Sequence, residues 1–147
     1  MWFSIPPQVL PEPNRHRGVL NRLFMLFKEK INSGNEMFCI GEFDKALVDF
    51  EAALSTSNQI FHMSVMEEKW VEDSIHTLII ARVNVAHTKF RLQYLGDAEK
   101  HLKMLVKTLK IWSGSTNSSA AFREVCLSNL EYAEVTYRGF MEEVGKI

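Results

Sequence analysis

The stretch from Ser33 to Leu54, SGNEMFCIGEFDKALVDFEAAL, decides how the chain folds. Gly34, Asn35, Phe38, Gly41, Phe43, Ala46, Phe50 and Ala53 fall at offsets 0, 1, 4, 7, 9, 12, 16 and 19 from the glycine. Small residues at 34 and 46 let two helices touch closely, and the phenylalanines fill the space around that contact. Gly41 stands where the chain must turn. The pattern predicts two antiparallel helices with a tight connection. No part of the chain alternates apolar and polar residues over a useful length, so no sheet is expected and the fold class is all-α.

Outward from that stretch, apolar residues recur at helical spacing. A first helix is expected from about Asn14 or Arg15 to Cys39, with Asn14 as its N-cap, and a second from Glu42 to Ser57. A third, long helix is expected from Ser64 to Tyr94, a fourth from Asp97 to Trp112, and a fifth from Ser118 to Val144 after the loop Ser113–Ser119. The fifth places Leu127, Leu130, Ala133 and Tyr137 on one face. All four prolines (Pro6, Pro7, Pro11, Pro13) precede residue 14. Residues 1–13 therefore read as a proline-containing arm and 14–147 as one helical domain.

The 33–54 stretch resembles a tetratricopeptide repeat, and the likeness extends over residues 27–112. It recurs in weaker form with Ala86 in place of Gly34, Ala98 in place of Ala46, and Phe90, Leu102 and Leu105 where Phe38, Phe50 and Ala53 stand. The interval is 52 residues, against about 34 in a regular array. The extra residues lie in Ser55–Asp73, which suggests lengthened helices around a longer connection. The resemblance implies an array of about two helix pairs plus a C-terminal capping helix. Such arrays hold a protein or peptide partner in a concave groove. Ile31, Asn35, Phe38, Asn84, His87 and Arg91 are the expected groove residues.

A looser similarity is to the domains of immunophilin-type co-chaperones, whose basic and amide clamp grips the carboxylate of a chaperone tail. Asn35 and Asn84 match the clamp's two asparagine positions. The first-helix lysine position holds Ile31, and Arg123 and Arg138 stand alone on the fifth helix.

Composition narrows the remaining classes. With 46% apolar and 24% charged residues, the 147-residue chain is typical of a soluble globular domain. A net charge of −1 favours neither nucleic acid nor an anionic membrane. Lys100, Lys103, Lys107 and Lys110 do form a basic stripe on the fourth helix, a secondary basic surface. No aromatic residues interleave it for base stacking, so it reads as a solvated face that an acidic set (Glu67, Glu68, Glu72, Asp73) could answer. The five histidines form no zinc spacing, and no phosphate loop, dinucleotide motif or nucleophile motif is present. Neither metal nor cofactor is expected, and the reading is a non-catalytic scaffold or adaptor. A homodimer through the C-terminal helix or the N-terminal arm is the structural alternative. The start lacks the features of a signal peptide and no apolar run is long enough to span a bilayer, so a cytoplasmic or nuclear location is expected. Cys39 and Cys126 are expected to be buried, inert thiols.

Overall fold

Residues 42–95 contain neither glycine nor proline, so nothing in the backbone chemistry interrupts helix across more than a third of the chain. The computed structural model describes residues 18–146, and helix dominates them. Helix α1 spans Gly18–Cys39, α2 Phe43–Glu67, α3 Val71–Arg91, α4 Leu95–Ser113 and α5 Ala120–Gly145. No strand occurs among the described residues. The predicted arm and Asn14 lie outside them.

The helices pair in chain order, α1 with α2, α2 with α3, α3 with α4 and α4 with α5. In addition α1 meets α3 and α3 meets α5, whereas α2 and α4 have no close backbone approach. The odd-numbered helices therefore form one layer, with α2 and α4 on the other side.

The contact that the sequence pattern predicts is present. Gly34, Ala46 and Ala53 are buried. A methyl group added at Gly34 would lie 2.5 Å from Phe50 Cε1, so the ring occupies the space that any other residue would need. Ala86 and Ala98 are likewise fully buried in the second pair.

The turns repeat as well. After α1, Gly41 at φ +81° donates its N–H to Phe38 O, and Glu42 N–H reaches Met37 O at 2.9 Å. After α3, 52 residues later, Gln93 at φ +69° donates to Phe90 O, and Tyr94 N–H reaches Lys89 O at 2.8 Å. Both are the bond pattern that closes a helix through one left-handed residue. Even the next residue matches: Glu42 has φ −87° and ψ 68°, and Tyr94 has φ −87° and ψ 66°.

Two core clusters result, and α3 belongs to both. Ile80, Ala81 and Val85 pack with Leu20, Phe24, Phe27, Ile31 and Phe50 of the first pair. Ile75, Ile79, Val83 and Ala86 pack with Leu102, Leu109, Cys126 and Phe140. A helix flanked on both sides buries even its short polar residues. The buried hydroxyls of α3 are satisfied locally: Ser74 Oγ bonds Val71 O, Thr77 Oγ1 bonds Ser74 O, and Thr88 Oγ1 bonds Asn84 O.

The boundaries depart from expectation in one place. The second helix runs ten residues past Ser57 to Glu67, and Ser64, the expected start of the third, is buried within it. The helices are lengthened as foreseen, but the connection is short rather than long, only residues 68–70. It reverses direction through two left-handed residues that are not glycine, Glu68 at φ 55° and Trp70 at φ 58°. The fifth helix starts as its cap residues suggest, with Ser119 Oγ accepting the Phe122 N–H at 3.1 Å. Its inward face is Cys126, Ala133, Thr136 and Phe140, which leaves Leu127 60% exposed. Leu127 sits one position round the helix from Cys126, the residue that takes the core position. The expectation of two buried thiols holds for Cys126, whose thiol burial pushes up to about 11, and fails for Cys39, which is exposed at the end of α1.

Candidate partner-binding groove

The layer formed by α1, α3 and α5 places the six expected groove residues on two neighbouring helices. Three come from the last turns of α1 and three from the last turns of α3, because the 52-residue repeat puts both helix ends in the same place. Phe38 joins the two: its ring packs edge-on against Phe43 at 5.0 Å and tilted against the His87 ring at 4.8 Å. Across from it, Phe90 meets Phe140 of α5 edge-on at 6.0 Å.

Burial divides the six. Asn35 and Phe38 are half-buried and Arg91 is exposed, so these three present surface. Ile31 is fully buried in the first core cluster and serves as packing rather than as groove wall. Asn84 and His87 are also buried. Burial, followed by the neighbouring Arg91 guanidinium, pushes the His87 imidazole down to about 3, so it is neutral near pH 7. Asn84 Nδ2 has no hydrogen-bond partner among the described residues. A buried amide left without an acceptor costs free energy on the order of 1–3 kcal/mol.

With Ile31 in the core, the position that would carry the clamp's first cation is apolar and closed to solvent. Arg123 turns back on its own loop, donating to Ser115 O at 3.2 Å and to Ser118 O. Among the six expected groove residues the one cation is Arg91, exposed at the end of α3.

The secondary basic surface is distinct from this groove. Lys100, Lys103, Lys107 and Lys110 are all exposed on α4. Lys103, Lys107 and Lys110 rim a depression of about 410 Å³ with Val106, Ile111 and Tyr137. Lys103 lies 3.7 Å from Glu99 on its own helix. Among the described residues no ion pair joins the stripe to Glu67, Glu68, Glu72 or Asp73.

A second cleft was not foreseen. It lies between α2 and α4, has a volume of about 210 Å³, and is bounded by Phe61 stacked on Trp112 at 4.7 Å. Its lining comes from residues 58–112 on three helices, so no local motif announces it.

No group of histidine, cysteine and carboxylate residues that could hold a metal ion occurs among the described residues. None of the described helices is long and apolar enough to cross a membrane. No family model matches the chain, and neither a curated protein nor a solved structure matches it.

Proposed function

We propose that the chain is a tetratricopeptide-like interaction module that holds a peptide or helix of a partner protein against α1, α3 and α5. One observation carries this reading: the helix-pair contact and the turn after it recur after 52 residues, with Gly34, Ala46 and Gly41 answered by Ala86, Ala98 and Gln93. Repetition of that kind stacks equivalent helices side by side and leaves a long surface along one layer. On that surface Phe38 offers an apolar contact, Asn35 offers an amide to a backbone, and Arg91 offers a cation to an acidic group.

The test is a peptide library selected on the full chain. Enriched peptides should bind with micromolar affinity and weaken at least ~10-fold in both Phe38→Ala and Arg91→Glu, while Lys107→Glu leaves them unchanged. Peptides insensitive to the α1 and α3 substitutions would defeat the groove reading. Calorimetry with a short acidic peptide bearing a free C-terminal carboxylate separates the chaperone-tail version from other ligands, since that version requires heat that Arg91→Glu abolishes. Light scattering over a concentration series tests self-association through α5, where Leu127, Val135 and Met141 stand exposed.

A further inference from the structure

Arg82 lies on α3, partly buried, on the side that faces away from the groove and into the α2–α4 cleft. Burial alone lowers the ease with which its guanidinium holds a proton. A guanidinium has five N–H donors and normally meets a carboxylate when it leaves water. Here the one side-chain partner among the described residues is a histidine: Arg82 Nη1 lies 3.3 Å from His101 Nδ1. That imidazole is pushed down to about 4 by burial, then by Arg82 and Lys89, against the pull of Asp97. It is therefore neutral near pH 7, and with its proton on Nε2 it accepts from Arg82 without cancelling its charge. The nearby carboxylate, Asp97, is taken by Lys89 at 3.4 Å. No acidic side chain lies within ion-pair distance of Arg82 among the described residues.

The repeat makes this arrangement informative. Counting back 52 residues, Arg82 corresponds to Lys30 and His101 to Asp49. The first pair thus carries a carboxylate where the second carries a neutral ring, and Asp49 accepts a bond from Ser33 at 2.6 Å. The second pair keeps the cation and lacks the acid.

The space beside Arg82 has a definite character. Phe61 comes from α2, Ile79 from α3, and Leu109 and Trp112 from α4, with Asn58 and Thr108 as its neutral polar residues. A cavity of about 150 Å³ lined by aliphatic and aromatic groups accepts benzene. The 210 Å³ here has room for one ring, or a short alkyl chain, with a small polar head. A single cation beside neutral groups balances a single negative charge, which favours a carboxylate over a phosphate dianion.

We propose that the α2–α4 cleft binds a small amphipathic monocarboxylate, with its head on Arg82 and its ring or short chain among Phe61, Ile79, Leu109 and Trp112. The site is independent of the groove on the opposite layer, and neither reading needs the other.

The experiment titrates phenylacetate and hexanoate into the full chain and follows the Trp112 indole N–H and the Arg82 side-chain N–H by nuclear magnetic resonance. Phenylacetamide, 1-hexanol and inorganic phosphate serve as controls. Saturable shifts at both groups are expected, with a Kd on the order of 1 mM, and the two neutral analogues should bind at least ~10-fold more weakly. Arg82→Met should lose the carboxylates. His101→Asp, which supplies the acid of the first pair while keeping Arg82, should lose them too, and circular dichroism checks that both variants fold. Absence of saturation, equal binding of the neutral analogues, tighter binding of phosphate, or undiminished binding in a folded Arg82→Met or His101→Asp variant would each overturn the proposal.

Discussion

The first and second helix pairs solve one packing problem with different residues. In α1–α2 a glycine meets a phenylalanine, Gly34 under the Phe50 ring. In α3–α4 the same positions hold Ala86 and Leu102, both buried. Small gains a methyl where large loses part of a ring, so summed volume is roughly kept, as close-packed interiors require. The turn differs in the same spirit. Gly41 adopts its left-handed conformation freely, while Gln93 adopts nearly the same one at φ +69° against the preference of a residue with a Cβ. Titratable chemistry is where the pairs truly diverge: Asn35 and Asp49 in the first are His87 and His101 in the second. Geometry has been held constant while chemistry has moved.

Acid should expose that divergence most strongly. Both histidines hold their protons less tightly in the folded chain (about 3 and about 4) than their ordinary value of 6.5. Above pH 6.5 both states leave the rings neutral, so the full stability is present. As pH falls below 6.5 the unfolded chain takes up protons that the folded chain refuses, and stability drops. The slope approaches ~1.4 kcal/mol per pH unit for each ring. Urea unfolding between pH 7 and pH 4 should show this loss, and His87→Asn, which imports the residue of the first pair, should remove about half of the slope. An unchanged slope would mean that the second pair is no more acid-sensitive than the first.

Gly34→Ala is the next largest effect. The added methyl meets a buried ring that has nowhere to go, at a cost of ~1–3 kcal/mol, partly offset by ~1 kcal/mol of better helix propensity. Phe50→Leu alone opens a void. Together the two changes recreate the arrangement of the second pair and should cost less than the sum of the single variants by ~1 kcal/mol or more, read as a coupling in a double-mutant cycle of thermal or urea unfolding. Strict additivity would break the equivalence of the two contacts.

The smallest effect lies in the turns. Gln93→Gly should stabilise by up to ~1 kcal/mol, and Gly41→Ala should destabilise by ~1–2 kcal/mol, measured as opposite shifts in the urea midpoint. Shifts of the same sign would show that the two left-handed positions are not doing the same job.

The helix pairs and their contacts were legible because they depend on residue size at helical spacing, a property that sequence states directly. Gly34, Ala46, Ala86 and Ala98 all stand where their size requires. The end of α2 was not legible. A serine at 64 resembles a helix start, but its hydroxyl side is buried mid-helix, and the real reversal uses Glu68 and Trp70 in a conformation that favours glycine. Exposure at single positions, as at Leu127 and Cys39, turns on a rotation of about 100° per residue and escapes a pattern that several neighbours share. In the candidate groove, residue identity placed Asn35, Phe38 and Arg91 on one surface. Ile31 also fits the apolar spacing of the first helix and is buried with it, whereas the closing off of Asn84 and His87 was not legible, because burial there depends on how α1 and α3 lie against their neighbours. The α2–α4 cleft draws on residues up to 54 positions apart, from Asn58 to Trp112. Its one sequence signal was the change from Asp49 to His101 within the repeat, beside a retained cation.

Because α3 supplies side chains to both core clusters, it is a shared wall rather than the property of either pair. A gene cut at the 68–70 junction would strip residues 18–67 of Ile80, Ala81 and Val85, and would hand the remainder a helix with one bare flank. Swapping halves between related chains, or splitting the protein for a reporter assay, must therefore carry α3 in duplicate.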